Sequence, residues 1–121
     1  VISFSRAEAM RRGARITICP SVNGADCTGG ADWQNGVIVF VDTNRDAVVN
    51  PGEEVLRNID ALSAGNTISA SGITSSLQFR GSGVAIPSGT LKLCDDRPNK
   101  GRLISVAVSG STLLTKDVSC P

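Results

Sequence analysis

Residues 18–57 constrain the fold of this chain more than any other stretch. The stretch opens with a cysteine that Pro and Ser follow, and a second cysteine comes after a short polar loop. Residues 36–42 then form a continuous apolar run, which is typical of a β-strand when Gly and Asp bound it. Residues 54–59 predict a second strand, so the loop between the two runs connects neighbouring strands.

Length and composition favour one β-rich domain. The chain has 121 residues, with 13 glycines, three Phe, one Trp and no Tyr. A domain of this length has a modest core, which must be built mainly from Val, Ile, Leu and Ala. The abundance of β-branched residues, Ser, Thr and Gly favours short strands joined by turns. We therefore expect residues 1–121 to form a single domain.

The N-terminal residues predict a helix, and the rest of the chain predicts strands. Residues 1–14 read as the end of a helix, because Phe4, Ala7 and Met10 recur at helical spacing and a glycine follows two arginines. Residues 15–121 form the β-rich part, in which Ser109 and Gly110 predict a closing hairpin. The predicted strands are residues 15–19, 36–42, 54–59, 67–71, 76–80, 90–94, 102–109 and 112–118. The expected fold class is α+β, with the helix packed on antiparallel sheet.

Four cysteines and no histidine predict disulfides formed in an oxidising compartment. Zinc is the competing interpretation, but the chain has no C-x-x-C pair and no histidine to complete a mixed site. Of the three connectivities, pairing Cys19 with Cys27 and Cys94 with Cys120 closes two separate loops along the chain. We expect these two bridges and no metal or other cofactor.

The loop after the apolar run has the spacing of a calcium loop. Oxygen-bearing side chains occupy positions 1, 3, 5, 9 and 12 of a twelve-residue stretch, namely Asp42, Asn44, Asp46, Asn50 and Glu53. Ala47 stands where such loops need glycine for a sharp turn. The alternative is a connection in which these side chains bond their own backbone. We expect this structural turn and keep calcium binding as the alternative.

Charge and residue types argue against catalysis and against general binding of polyanions. Without histidine, none of the serines has the usual base, so we expect no enzyme. The formal net charge of +1 predicts no general affinity for nucleic acid or anionic membrane. A local basic group is the candidate DNA-binding patch, and a solvated charged loop is the alternative. The patch consists of Arg80, Lys92, Arg97, Lys100 and Arg102.

The order of these motifs resembles the head domain of the GspH/FimT family of type IV pilin-like proteins. The resemblance rests on C-P-S at residues 19–21, the second cysteine, W-x-x-G at residues 33–36, D-x-N-x-D at residues 42–46 and G-E-x-x-L-R at residues 52–57. Residues 6–13 also match R-x-E-A-x-x-R-G, which ends the long helix of that family. These motifs cover about a third of the chain and are specific in combination.

The resemblance implies a pilin-like fold and a structural role. It implies a transmembrane half of the helix upstream of Val1, an inner-membrane anchor and a periplasmic head that reaches the cell surface of a Gram-negative bacterium in the pilus. The expected function is that of a minor pilin that assembles with other minor pilins and the major pilin to prime or cap a type IV pilus. A type II secretion pseudopilin, which would assemble with the other pseudopilins, is one alternative.

A DNA-binding minor pilin for natural transformation is the second alternative that the resemblance brings. In FimT-like members that role is linked to a G-R-x-R motif near the C-terminal strand. The corresponding turn here is residues 110–113, which contains neither arginine. This departure argues against the DNA-binding alternative.

Overall fold

The computed structural model describes residues 2–28, 30, 32–43, 46, 48–61, 66–73, 75–95 and 100–119. Within these residues an α-helix precedes a series of antiparallel strands. The helix α1 spans Ile2–Arg12, and the strands are β1 (Ile16–Pro20), β2 (Val37–Val41), β3 (Val55–Ile59), β4 (Thr67–Ser71), β5 (Leu77–Phe79), β6 (Ala85–Ile86), β7 (Gly89–Cys94), β8 (Gly101–Val106) and β9 (Thr112–Val118). In the described part of the chain, no helix has the length and hydropathy needed to cross a membrane.

The helix packs through small residues. Its buried residues are Ile2, Ser5 and Ala9, whose spacing of three and four places them on one face. The small side chains of Ser5 and Ala9 allow the helix backbone to approach the strands beneath it. Met10, which the sequence pattern placed on the apolar face, is instead 49% exposed. The helix ends at Arg12, just before the predicted cap Gly13. Of the predicted apolar stripe, Phe4 packs against the core, whereas Ala7 and Met10 are exposed, so the prediction was wrong at these two positions.

The strands form two sheets. The sequence pattern predicted the strands but not how they are divided between sheets. The first sheet has the order β3-β2-β1-β5-β6, and the second sheet has the order β4-β7-β8-β9. Ile18 pairs with Val39 at the centre of the first sheet, and Leu91 pairs with Ile104 at the centre of the second. All eight predicted strands are present; β4 and β9 have the predicted bounds, the other six have shifted ends, and β6 was not predicted. A two-residue strand is too short to show the alternation on which strand prediction depends.

The central strands β1 and β2 of the first sheet are buried on both faces, which explains the continuous apolar run of β2. One face carries Ile18 and Val39 into a cluster of buried residues that α1 and both sheets share. The opposite face carries Cys19, Ile38 and Phe40 into a second, smaller cluster. Because consecutive side chains of a strand point to opposite faces, each position of β2 between two covered faces must be apolar.

Candidate functional site

Arg6 joins the helix to one turn of each sheet. Its Nε donates a hydrogen bond to the carbonyl oxygen of Gly83, at 3.3 Å, in the turn between β5 and β6. The same guanidinium lies against Gly110 in the β8–β9 turn. It is so close that a Cβ added to Gly110 would lie 2.5 Å from Arg6 Nε. The backbone N–H of Ala85 donates to the oxygen of Val108 at 2.9 Å, which ties the two turns together. The orientation of α1 is therefore held by both sheets at one junction.

The last turns of α1 carry a cluster of charged side chains. Glu8 accepts hydrogen bonds from Arg11 Nη2 at 2.6 Å and from Arg12 Nε at 2.8 Å. These bonds, from Arg11 first and Arg12 second, lower the pKa of Glu8 to about 2. The bond with Glu8 also raises the pKa of Arg11. At the other end of α1, Arg57 of β3 lies over the ring of Phe4, with 4.3 Å between guanidinium carbon and ring centroid, so the first turn of the helix is fixed to the first sheet.

Cys19 and Cys27 form a disulfide, which is one of the two expected pairs. Cys19 is fully buried, and the N–H of Thr28 donates to the oxygen of Pro20 at 2.9 Å beside the bridge. The bridge therefore folds the loop after β1 back over the second face of the first sheet. The other expected pair involves Cys94, which is disulfide-bonded, and Cys120, which lies outside the described residues.

The loop of residues 42–53, here called the acidic loop, brings three carboxylates together. Ligand oxygens of Asp42, Asp46 and Glu53 all lie within 4.8 Å of one another. Asn50, which also belongs to the predicted set, donates its side-chain amide to Asp46 Oδ2 at 2.9 Å, and Asn44 lies outside the described residues. Oxygen donors this close together are chemically suited to a hard cation such as calcium.

Backbone and side-chain donors already bind the carboxylates of the acidic loop. Asp42 is fully buried and accepts the hydroxyl proton of Thr17 on Oδ2 at 2.8 Å. Glu53 accepts the N–H of Thr43 at 2.7 Å and the N–H of Asn50 at 2.8 Å, one on each oxygen. Side chains thus satisfy backbone N–H groups of the loop, which is how such residues stabilise a turn.

The residues of the predicted DNA-binding patch do not share one surface in the described part of the chain. Arg80 lines a cleft with Gly13 and Thr43 beside the first sheet. Lys92 pairs in register with Leu103, whereas Arg102 pairs with Leu93, so these two side chains point to opposite faces of the second sheet. The Lys92 amine donates to the oxygen of Ser119 at 3.2 Å. Lys100 lines a cleft with Arg102, and Arg97 lies outside the described residues.

The second sheet ends in an exposed strand beside an apolar cleft. The cleft has a volume of about 300 Å³, and Ile2, Trp33, Leu91, Ile104 and Leu114 are among its lining residues. In β9, Leu113 is 65% exposed and Leu114 is 49% exposed. Sequence analysis did not single out these leucines, although two adjacent leucines in a C-terminal strand must place one side chain on each face.

The family of the chain follows from comparison with known proteins. A family model described as type II transport protein GspH matches residues 1–112. The chain belongs to the GspH family. A comparison with curated protein sequences finds no match. Membership of the GspH family agrees with the resemblance carried by residues 6–57 and indicates a structural pilin-like protein, not an enzyme.

Solved structures similar to this GspH-family chain include a minor pilin and a minor pseudopilin. The type IV minor pilin FimU of Pseudomonas aeruginosa has a TM-score of 0.74 at 21% identity, covering 99% of this chain and 84% of that chain. A second crystal form of FimU has a TM-score of 0.71 at 20% identity, with coverage of 99% and 88%. The minor pseudopilin EpsH from the type 2 secretion system of Vibrio cholerae has a TM-score of 0.65 at 13% identity, with coverage of 95% and 87%. The GspH-family chain therefore has the minor pilin and pseudopilin fold.

Proposed function

We propose that the chain is the head of a minor pilin, which assembles with other minor pilins and the major pilin to prime or cap a type IV pilus. The observation that carries this proposal is the similarity to FimU along 99% of the chain, with α1 placed at the start of a two-sheet head. The family match over residues 1–112 supports the same class of protein.

The packing of α1 supports a role in which helix and head move together. The helix buries Ile2 and Ala9 in the core that both sheets share. Arg6 adds the junction with Gly83 and Gly110, and Arg57 adds the contact with Phe4. A force applied to the helix would therefore be transmitted to the whole head rather than to one loop.

The expected location follows from the same proposal. We expect a membrane-spanning segment upstream of Val1 to anchor the subunit in the inner membrane, with the head in the periplasm and later at the cell surface. The Cys19–Cys27 disulfide supports this location, because such bridges persist in oxidising compartments.

A minor pseudopilin of a type II secretion system is the second candidate. The similarity to EpsH over 95% of the chain favours it, as does the description of the matching family. The two candidates share helix packing and head contacts, and they differ in the filament that the subunit enters.

Deletion of the gene in its native organism tests both candidates. Surface pili are counted by electron microscopy, and secreted enzymes are measured in the culture medium, with the wild-type gene restored as the control. Fewer pili with normal secretion supports the minor pilin, and lost secretion with normal pili supports the pseudopilin. Normal pili together with normal secretion would contradict the proposed function.

A further inference from the structure

We infer that the free edge of β9 is a docking site for an antiparallel extended strand of another subunit, one that carries a carboxylate followed two residues later by an apolar side chain on the same face. This inference rests on the proposed function, because it names the chemistry of the partner segment that the head would bind. It concerns the edge segment, defined as residues 112–116.

On the outward edge of β9, backbone N–H and C=O groups do not pair with any described strand. The strand pairs with β8, and the second sheet ends there. The N–H of Ala107 donates to the oxygen of Ser111 at 2.9 Å, which makes this pair a hydrogen-bonded pair at the hairpin. Because such pairs alternate along an antiparallel ladder, Thr112, Leu114 and Lys116 direct their N–H and C=O groups outward. An added strand can pair with these groups.

Most of the edge segment lacks the features by which natural edge strands prevent pairing. Charged side chains and bulges are the common protections. In β9 the register shift lies at Gly101, which pairs with Val118, and the only non-glycine residue with positive φ in the described chain is Asp117. Both features lie at the C-terminal end of the strand. Residues 112–115 are two threonines and two exposed leucines, which favour strand pairing.

The charge required of the partner follows from a pair of cations. Arg102 and Lys116 are directly opposite each other in register, in a pair whose side chains lie close together because it is not hydrogen-bonded. Like charges in this arrangement destabilise a sheet. Lys100 is paired with Asp117 at 3.6 Å, but no described residue forms an ion pair with Arg102 or Lys116. A carboxylate that enters this face would relieve the repulsion.

The position of the apolar side chain follows from the same register. Leu114 pairs with Ile104 on the face that also carries Arg102 and Lys116, and this face continues to Leu91 in the apolar cleft. A partner side chain opposite Leu114 would cover a leucine that is 49% exposed. In an antiparallel partner, the carboxylate opposite Lys116 therefore comes two residues before the apolar side chain.

A second copy of this chain does not fit the site as well. Antiparallel pairing of two edge segments about Leu114 would place Thr112 of each copy opposite Lys116 of the other. The carboxylate of β9 belongs to Asp117, which is already paired with Lys100. Self-pairing would thus leave both cations without a carboxylate, whereas a partner strand of the stated chemistry supplies one.

A synthetic heptapeptide, Thr-Glu-Thr-Val-Thr-Val-Thr, provides the direct test. Binding to the 121-residue chain is followed by NMR titration, and amide hydrogen exchange is measured in the free and bound states. We expect exchange to slow at Thr112, Leu114 and Lys116. Replacing the peptide Glu by Lys should weaken binding about fivefold, which is the size of a good exposed charge pair. Unchanged exchange at these three amides, or equal affinity for both peptides, would overturn the inference.

Variants of the edge segment distinguish binding by strand pairing from nonspecific binding. Leu114→Pro removes an outward N–H at an edge position where proline is tolerated, and should weaken binding about tenfold or more. Leu114→Ala is the matched control that retains the N–H and should lose less. If the proline variant does not fold by circular dichroism, the pair Lys116→Glu and Lys92→Glu replaces it, because Lys92 lies on the opposite face. Equal loss from both members of either pair would overturn the inference.

Measurements in cells distinguish failure of this inference from failure of the proposed function. Wild type, Leu114→Pro and Leu114→Ala are compared for incorporation into purified filaments. We expect the proline variant alone to be depleted. Normal incorporation of that variant overturns the docking site and leaves the proposed function standing. Absence of the wild type from filaments overturns the proposed function and, with it, the identity of the partner as another subunit. Dimer formation by the wild type that Leu114→Pro abolishes would also contradict the inference, because a second copy of this chain would then occupy the edge.

Discussion

Replacing Gly110 by alanine tests whether α1 and the two sheets are held together at the Arg6 junction. Gly110 has a φ of 89°, and a Cβ built there would lie 1.9 Å from the carbonyl oxygen of Gly83 and 2.5 Å from Arg6 Nε. The unfavourable φ costs about 1 kcal/mol for alanine. The overlap with a backbone atom adds roughly 2 kcal/mol, since both turns must move. We therefore expect a total loss near 3 kcal/mol in the free energy of unfolding.

Gly52 provides a matched control for this prediction. It has the same φ of 89°, but a Cβ built there meets no atom within 4 Å. Gly52→Ala should therefore cost only the conformational term, about 1 kcal/mol. In thermal unfolding followed by circular dichroism, the midpoints should fall by roughly 12 °C for Gly110→Ala and roughly 4 °C for Gly52→Ala. Equal shifts in the two variants would refute the argument that the turns and Arg6 are packed as one junction.

Three further predictions concern the loops and the helix. Thr17→Val removes the hydroxyl that donates to the buried Asp42 carboxylate and should lower the free energy of unfolding by about 2 kcal/mol, measured with denaturant. Thr17→Ser keeps a hydroxyl and should lose less, and equal losses in the two variants would contradict the role of this bond. The double variant Cys19→Ala, Cys27→Ala opens a loop of sequence separation 8, and its free energy of unfolding should fall by about 2.5 kcal/mol in the same assay. A fall below about 0.5 kcal/mol would contradict the stabilising role of this disulfide. Glu8 has a pKa lowered from 4.5 to about 2, so its stabilising effect is present above pH 4.5 and disappears as the pH falls to about 2. Melting temperatures of wild type and Glu8→Gln should therefore differ at pH 6 and converge near pH 2, and a constant difference would contradict this assignment.

Local patterns were sufficient to predict the helix and every described strand except β6. The apolar run of β2 and the glycine after Arg12 each depend on residues adjacent in sequence, and the structure confirms the strand and the helix end. The predicted apolar stripe of α1 was wrong at Ala7 and Met10, which are exposed. Ser5 and Ala9 face the sheet because their size permits a close approach, and hydrophobic periodicity carries no information about size.

Contacts between distant segments were beyond what the sequence pattern could provide. The acidic loop was predicted from its spacing, but the bond from Thr17 to Asp42 depends on the register of β1 with β2. The basic residues looked like one patch because they are close in sequence, yet strand alternation places Lys92 and Arg102 on opposite faces. The pairing of Arg102 with Lys116 was missed because it requires the β8–β9 register.

The central claim is that this chain is a minor subunit of a surface filament, and its abundance in purified filaments tests that claim most directly. Filaments are sheared from the native organism and purified, and peptides of this chain and of the major subunit are quantified by mass spectrometry. The account predicts that this chain is present at a small fraction of the abundance of the major subunit. Its absence from filaments, together with recovery as a free periplasmic protein, would contradict the account.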